Sequence, residues 1–113
     1  AILLAIQNYG SEILSRAHLI SSNEPCPMCI GACIWSGIPN VSYFVSQEQV
    51  EAIRGWGKFM PAKEIAQADD SGIMVNGPIG NEDMLNMHRV FWTTGSNSEC
   101  KHSIHLSEGD TVK

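Results

Sequence analysis

The chain has no apolar run close to the roughly 20 residues that span a bilayer. Its opening apolar stretch, Ala1 to Ile6, is too short for a signal sequence, and no basic region precedes it. Basic residues are few: 7 Lys and Arg against 12 Asp and Glu, for a formal net charge of −5. They are scattered rather than set in a stripe. That argues against a nucleic-acid partner, because phosphate contacts need clustered cations. No repeat or low-complexity segment divides the chain, so its 113 residues read as one domain with one core. There is no second Cys-x-x-Cys to complete a structural zinc ribbon. The 4 cysteines, with no secretion signal, read as reduced thiols and imply the cytoplasm. At 43% hydrophobic and 17% charged residues, the composition is ordinary for a globular protein.

What the sequence does have is Cys26 and Cys29, in the run Glu24-Pro25-Cys26-Pro27-Met28-Cys29. This spacing puts both sulfurs on one side of the first turn of a helix, close enough to share a tetrahedral zinc ion. The positive end of the helix dipole favours the thiolate that zinc requires. Pro25 and Pro27 stiffen the entry, and a proline in the first helical turn forfeits no hydrogen bond. Ile30-Gly31-Ala32-Cys33-Ile34-Trp35 continues as an apolar helix. The pair by itself leaves a metal site, a redox motif and a disulfide all open. A zinc site that opens a buried helix points to catalysis more than to a structural staple.

Periodicity supplies the elements. A helix is expected from Ala1 to about Leu14, because Ile2, Leu3, Ile6, Ile13 and Leu14 fall near a 3.6-residue period. Strands are expected over 17–22, 41–45 and 73–76. Helices are expected over 27–36, ended by Gly37, over 47–53, and over 61–68. Asn81 should cap a last helix whose apolar side carries Met84, Leu85, Met87, His88, Phe91 and Trp92. Residues 93–113 are polar and read as a tail. Alternating helices and strands imply an α/β layered fold with parallel strand pairs.

The run Glu24 to Cys29, with Gly31-Ala32 and Ile34-Trp35-Ser36-Gly37, resembles the cytidine and deoxycytidylate deaminase superfamily. The nearest likeness is to bacterial guanine-deaminase-like and cytosine-deaminase-like enzymes. Val50-Glu51-Ala52-Ile53 also looks like the guanine branch. The resemblance covers about residues 1–92. It implies a three-layer α/β/α fold with a central mixed sheet of five strands and helices on both faces. It implies a Zn²⁺ held by one His and by Cys26 and Cys29, with water in the fourth position. It implies a Glu that is not a ligand and moves the proton from that water to the base. The expected activity is zinc-dependent hydrolytic deamination of a nucleobase or nucleoside. Guanine is favoured; cytosine, cytidine and tRNA adenosine follow. The acidic charge suits a small neutral base, with no membrane and no nucleic acid as partner. A homodimer is expected.

The chain departs from the pattern where it matters most, for it has no His-x-Glu. By the resemblance, Ala1-Ile2-Leu3-Leu4-Ala5-Ile6 follows that motif directly, and the Glu position falls on Ala1 or Ile2. The opening hairpin and first helix of the family are then missing as well. The helix begins without a cap residue, so the expectation is that material precedes Ala1. The alternative is a relative that has lost the Glu and binds zinc or a base without turnover. A Cys-x-x-Cys redox protein is a third reading. Glu24, Trp35 and Trp92 are the candidate substrate contacts, with Phe91, Trp56 and Phe59 as further aromatic candidates. His18, His88 and the tail cluster Cys100, His102 and His105 are weighed as a third zinc ligand. Each has a blander reading: a strand histidine, a packed histidine and a solvated tail. Cys33, four residues after Cys29, reads as a small core residue.

Overall fold

The computed structural model describes residues 1–93. The expectations for 94–113, including the Cys100, His102 and His105 cluster, lie outside the described residues. Local chemistry sets most element ends. Helix α1 (Ile2–Leu14) is interrupted at Gly10, whose φ of 79° and ψ of 166° are not helical. The 3.6-residue pattern had implied one unbroken helix, but a glycine without Cβ takes this conformation at little cost. Strand β1 (His18–Asn23) leads into α2 (Pro27–Ser36). Pro27 opens α2, and Gly37 ends it with a left-handed φ of 78°. The Ile38 N–H then donates to the Cys33 carbonyl at 3.1 Å, so the last turn is closed.

Strand β2 (Asn40–Val45) is followed by α3 (Gln47–Arg54), which opens on a reciprocal cap. The Gln49 N–H donates to Ser46 Oγ at 3.1 Å, and the Ser46 N–H donates to Gln49 Oε1 at 2.9 Å. Helix α4 (Ala62–Ala68), strand β3 (Met74–Asn76) and helix α5 (Glu82–Thr93) complete the order. Asn81 caps α5 as expected, accepting from the Met84 N–H at 3.0 Å. Helix α5 runs one residue into the segment expected to be tail.

The protein is α/β, with a small three-stranded parallel sheet in the order β1-β2-β3 and five helices among the described residues. Parallel neighbours need crossovers, and α2 and then the α3–α4 pair provide them. This agrees with the α/β class that the resemblance implies. The described sheet has three parallel strands, the number left of the expected five once the opening hairpin is set aside. The core lies on the face that carries Leu19, Val41 and Val75, paired in register and packed with Leu14, Ile30 and Ala62 from α1, α2 and α4. On the opposite face Ile20 and Met74 stay 64% and 60% exposed. All three strands run the same way, so Asn23, Val45 and Asn76 end at one edge of the sheet. In open parallel sheets that edge is where ligands bind.

Candidate functional site

Cys26 lies three residues past the end of β1 and acts as the N-cap of α2. Its carbonyl accepts the first helical bond, from the Ile30 N–H at 2.9 Å. Cys29 follows on the same side of the first turn. Burial pushes the Cys26 thiol up, but the amides of Met28 and Cys29 and the Cys29 thiol more than offset this, so the net direction is down. Cys29 moves the other way. Its bond to Cys26, then burial, then the Cys26 charge all favour its protonated form. The opposite directions are those of a pair in which Cys29 donates to the Cys26 sulfur. Ala1 and Ile2, at the start of α1, line one cavity with Cys29. Cys33, one turn on, is fully buried. Burial, and then the Cys29 charge, push it up to about 11. It is a core residue, as its blander reading had it.

A cavity of about 930 Å³ opens beside the pair, with Ala1, Ile2, Asn23, Cys26, Met28 and Cys29 in its wall. Among the described residues no three His, Cys, Asp or Glu side chains converge to hold a metal ion. A catalytic zinc takes three protein ligands and a water; Cys26 and Cys29 are two sulfur donors, short of that set. His18 does not complete it. His18 sits at the far end of β1, five residues before Asn23 and so about 17 Å of extended chain away. Its Nε2 is engaged with Ser42 Oγ at 2.7 Å.

Glu24, expected to meet substrate or cap the zinc helix, lines the cysteine cavity, and both its carboxylate oxygens are engaged by backbone amides. It is 8% exposed. Oε2 accepts from the Ala62 N–H at 3.1 Å and Oε1 from the Gln47 N–H at 3.4 Å. These are the first residues of α4 and α3. One buried carboxylate thus holds two helix N-termini, where the backbone donors and the dipole favour negative charge. Its own N–H donates to the Val45 carbonyl at 2.8 Å, which extends the β1–β2 pairing.

The aromatic candidates divide. Trp35 is 92% exposed near the end of α2. It stands nine residues past Cys26, two and a half turns along and on the opposite side of the helix axis. The structure does not bring it to the cysteines. Trp92 lies in a cluster instead. Its ring meets Trp56 edge-on at 5.7 Å and Phe91 at 4.8 Å. The Arg54 guanidinium lies 4.2 Å from the Trp56 ring centre and 5.2 Å from that of Trp92. Trp92 and Phe91 line a second cavity of about 350 Å³, together with Ser22, Asn23, Met87 and His88. This cavity and the cysteine cavity share Ser22 and Asn23. Trp56 packs under Trp92, and its Nε1 is buried without a partner among the described residues. Phe59 is 43% exposed in the loop beyond.

Sequence reasoning missed Asn23 altogether and weighed His88 only as a ligand or a packed residue. His88 Nε2 lies 2.9 Å from Asn23 Oδ1, and Trp92 Nε1 donates to His88 Nδ1 at 3.3 Å. Burial, and then the Arg54 charge, lower the His88 pKa, so its ring is held neutral. The Trp92–His88 contact has a sequence signal, the i, i+4 spacing on one helix. The bond to Asn23 has none, because it joins two elements far apart in the chain.

The chain is similar, at 32% identity over 87 residues, to a Schizosaccharomyces pombe protein named "Probable cytosine deaminase". The matched part is 73% of this chain and 54% of that protein, so the chain spans about half the length of the curated relative it matches. No family model matches the chain. The likeness supports the cytidine-deaminase-like superfamily that the Cys26–Cys29 motif resembles. The relative is named for cytosine, not for the guanine that the motif residues favoured.

Proposed function

We propose that this chain, whose motif and likeness both support the cytidine-deaminase-like superfamily, carries the cysteine half of a hydrolytic nucleobase deaminase. In that reaction water replaces the exocyclic amine of an aminated heterocycle, giving a ring carbonyl and ammonia. The observation that carries the reading is the Cys26–Cys29 pair at the head of α2, opening onto a cavity that adjoins an aromatic one. A zinc ion there would supply an activated water. Cys26 and Cys29 would be two of its ligands, and the third would come from outside the described residues. Trp92 and Phe91 offer ring surfaces to a planar base. The proton carrier is not Glu24, whose two oxygens are engaged by helix amides. It too would come from outside the described residues.

Guanine and cytosine are the first substrates to test, the one from the motif residues and the other from the relative's name. The experiment is incubation of the purified protein with zinc and each base, reading ammonia release and the ultraviolet change to xanthine or uracil. Turnover that requires zinc and disappears in Cys26→Ser supports the reading. A second reading is a deaminase-fold protein that binds without turnover; in its favour, the only carboxylate among the described residues lining the cysteine cavity is Glu24, whose oxygens are engaged by helix amides. Zinc near one per chain and base binding without ammonia release would establish it. A protein that binds neither zinc nor either base overturns both readings.

A further inference from the structure

Asn23 stands where the two cavities meet and forms part of both walls. Its carboxamide is oriented by a chain of donors that begins on α5. An indole N–H can only donate, so the bond from Trp92 Nε1 requires a lone pair on His88 Nδ1. The neutral imidazole then carries its proton on Nε2, and this N–H donates to Asn23 Oδ1. With Oδ1 taken, Asn23 Nδ2 keeps two N–H donors and has no partner among the described residues. The adjoining wall is a thioether and aromatic surface of Met84, Met87, Phe91 and Trp92, in a cavity of a size that suits one flat ring.

We infer that Asn23 is a specificity-determining residue that donates Nδ2–H to a ring carbonyl of the bound heterocycle, and that His88 is the positioning residue that turns the amide so. This rests on the nucleobase reading above. Without His88 the amide can rotate and present its oxygen, which accepts from amino groups and repels carbonyls. The Trp92–His88–Asn23 chain thus links an aromatic wall of the cavity to the choice of base. A merely structural role for Asn23 would affect all ligands alike, whereas this role discriminates between bases that differ in one oxygen.

Two matched pairs isolate that oxygen: cytosine against 4-aminopyrimidine, and guanine against 2-aminopurine. The zinc-loaded protein is compared with Asn23→Ala, His88→Ala and His88→Gln, each first shown to keep the circular dichroism spectrum of the unmodified protein. The readout is the ratio of kcat/KM within a pair, or of Kd where no turnover occurs. The unmodified protein should favour the oxo base by about tenfold, the worth of one hydrogen bond to a ligand held away from water. Asn23→Ala should bring that ratio to about one while the oxygen-free base holds within about twofold. His88→Ala should cut the preference, and His88→Gln, whose amide can donate to Oδ1, should restore most of it. Equal losses for both members of a pair, or an unchanged ratio in Asn23→Ala, overturn the role of Asn23. An undiminished ratio in His88→Ala overturns the role of His88. If the unmodified protein binds no base of either pair, the nucleobase reading itself falls, which is a distinct result.

Discussion

Glu24 shows how far one side chain can organise this fold. Two backbone N–H groups, from Gln47 and Ala62, converge on a carboxylate that is nearly out of water. Glu24→Gln keeps the shape but turns an NH₂ toward one of them, leaving a buried donor unpaired. The expected cost is about 2–3 kcal/mol in urea unfolding, against less than about 0.5 for exposed Glu64→Gln. Tyr43 lies beside it and is 3% exposed. Burial, and then the Glu24 charge, push its phenol from 10.0 up to about 12. A folded-state pKa above the unfolded one means that stability is complete below pH 10 and lost as pH rises toward 12. The loss should approach about 2 kcal/mol. Tyr43→Phe should remove that alkaline decline, and an identical decline in the variant would show that other groups cause it.

At the scale of elements, the legible parts were those whose signals are local. Helix α2 could be read to both ends because Pro27 and Gly37 flank an apolar run. Helix α5 could be read because Asn81 precedes Glu82 and Asp83. The Gly10 break was hidden because apolar residues on both sides kept the helical period. The placing of Cys26 and Cys29 on one side of a first helical turn was legible from spacing, but the use of Glu24 was not, since its partners lie on two later helices. The docking of α5 was equally hidden. None of its residues is buried. Much of its hold on α3 runs through Arg54, which donates to the carbonyls of Trp56 at 2.9 Å and Gly57 at 3.2 Å while facing both tryptophan rings. Arg54→Lys keeps the charge and loses the planar fork and its stacking. Amide exchange in α5 should then speed up by roughly tenfold, as expected for about 1–2 kcal/mol, while α2 is unchanged. Equal acceleration in both helices would mean that Arg54 supports the whole domain rather than this contact.

For the whole molecule, the decisive property is the apolar surface that the described residues leave uncovered. Ile20 and Met74 face outward from the sheet, and on α1 Leu3 and Leu4 are 69% and 60% exposed. Strand β1 is bonded to β2 along one side, and among the described residues its other edge has no strand partner. An unpaired edge beside exposed apolar side chains is a template for association. The polypeptide Ala1–Lys113 expressed by itself should therefore sediment as oligomers, bind a hydrophobic dye such as anilinonaphthalene sulfonate, and unfold without a sharp transition. Ile20→Lys with Met74→Lys should shift it toward monomer and reduce dye binding at least severalfold, because charges on that face oppose edge pairing. The homodimer implied by the resemblance belongs to the same argument. If it forms through this face, the double lysine variant dissociates it, whereas the Leu3→Lys and Leu4→Lys pair on α1 does so only if the helix takes part. A monomer that binds no dye and melts cooperatively would show that the open face is stable in water, and that association has to be sought elsewhere on the surface.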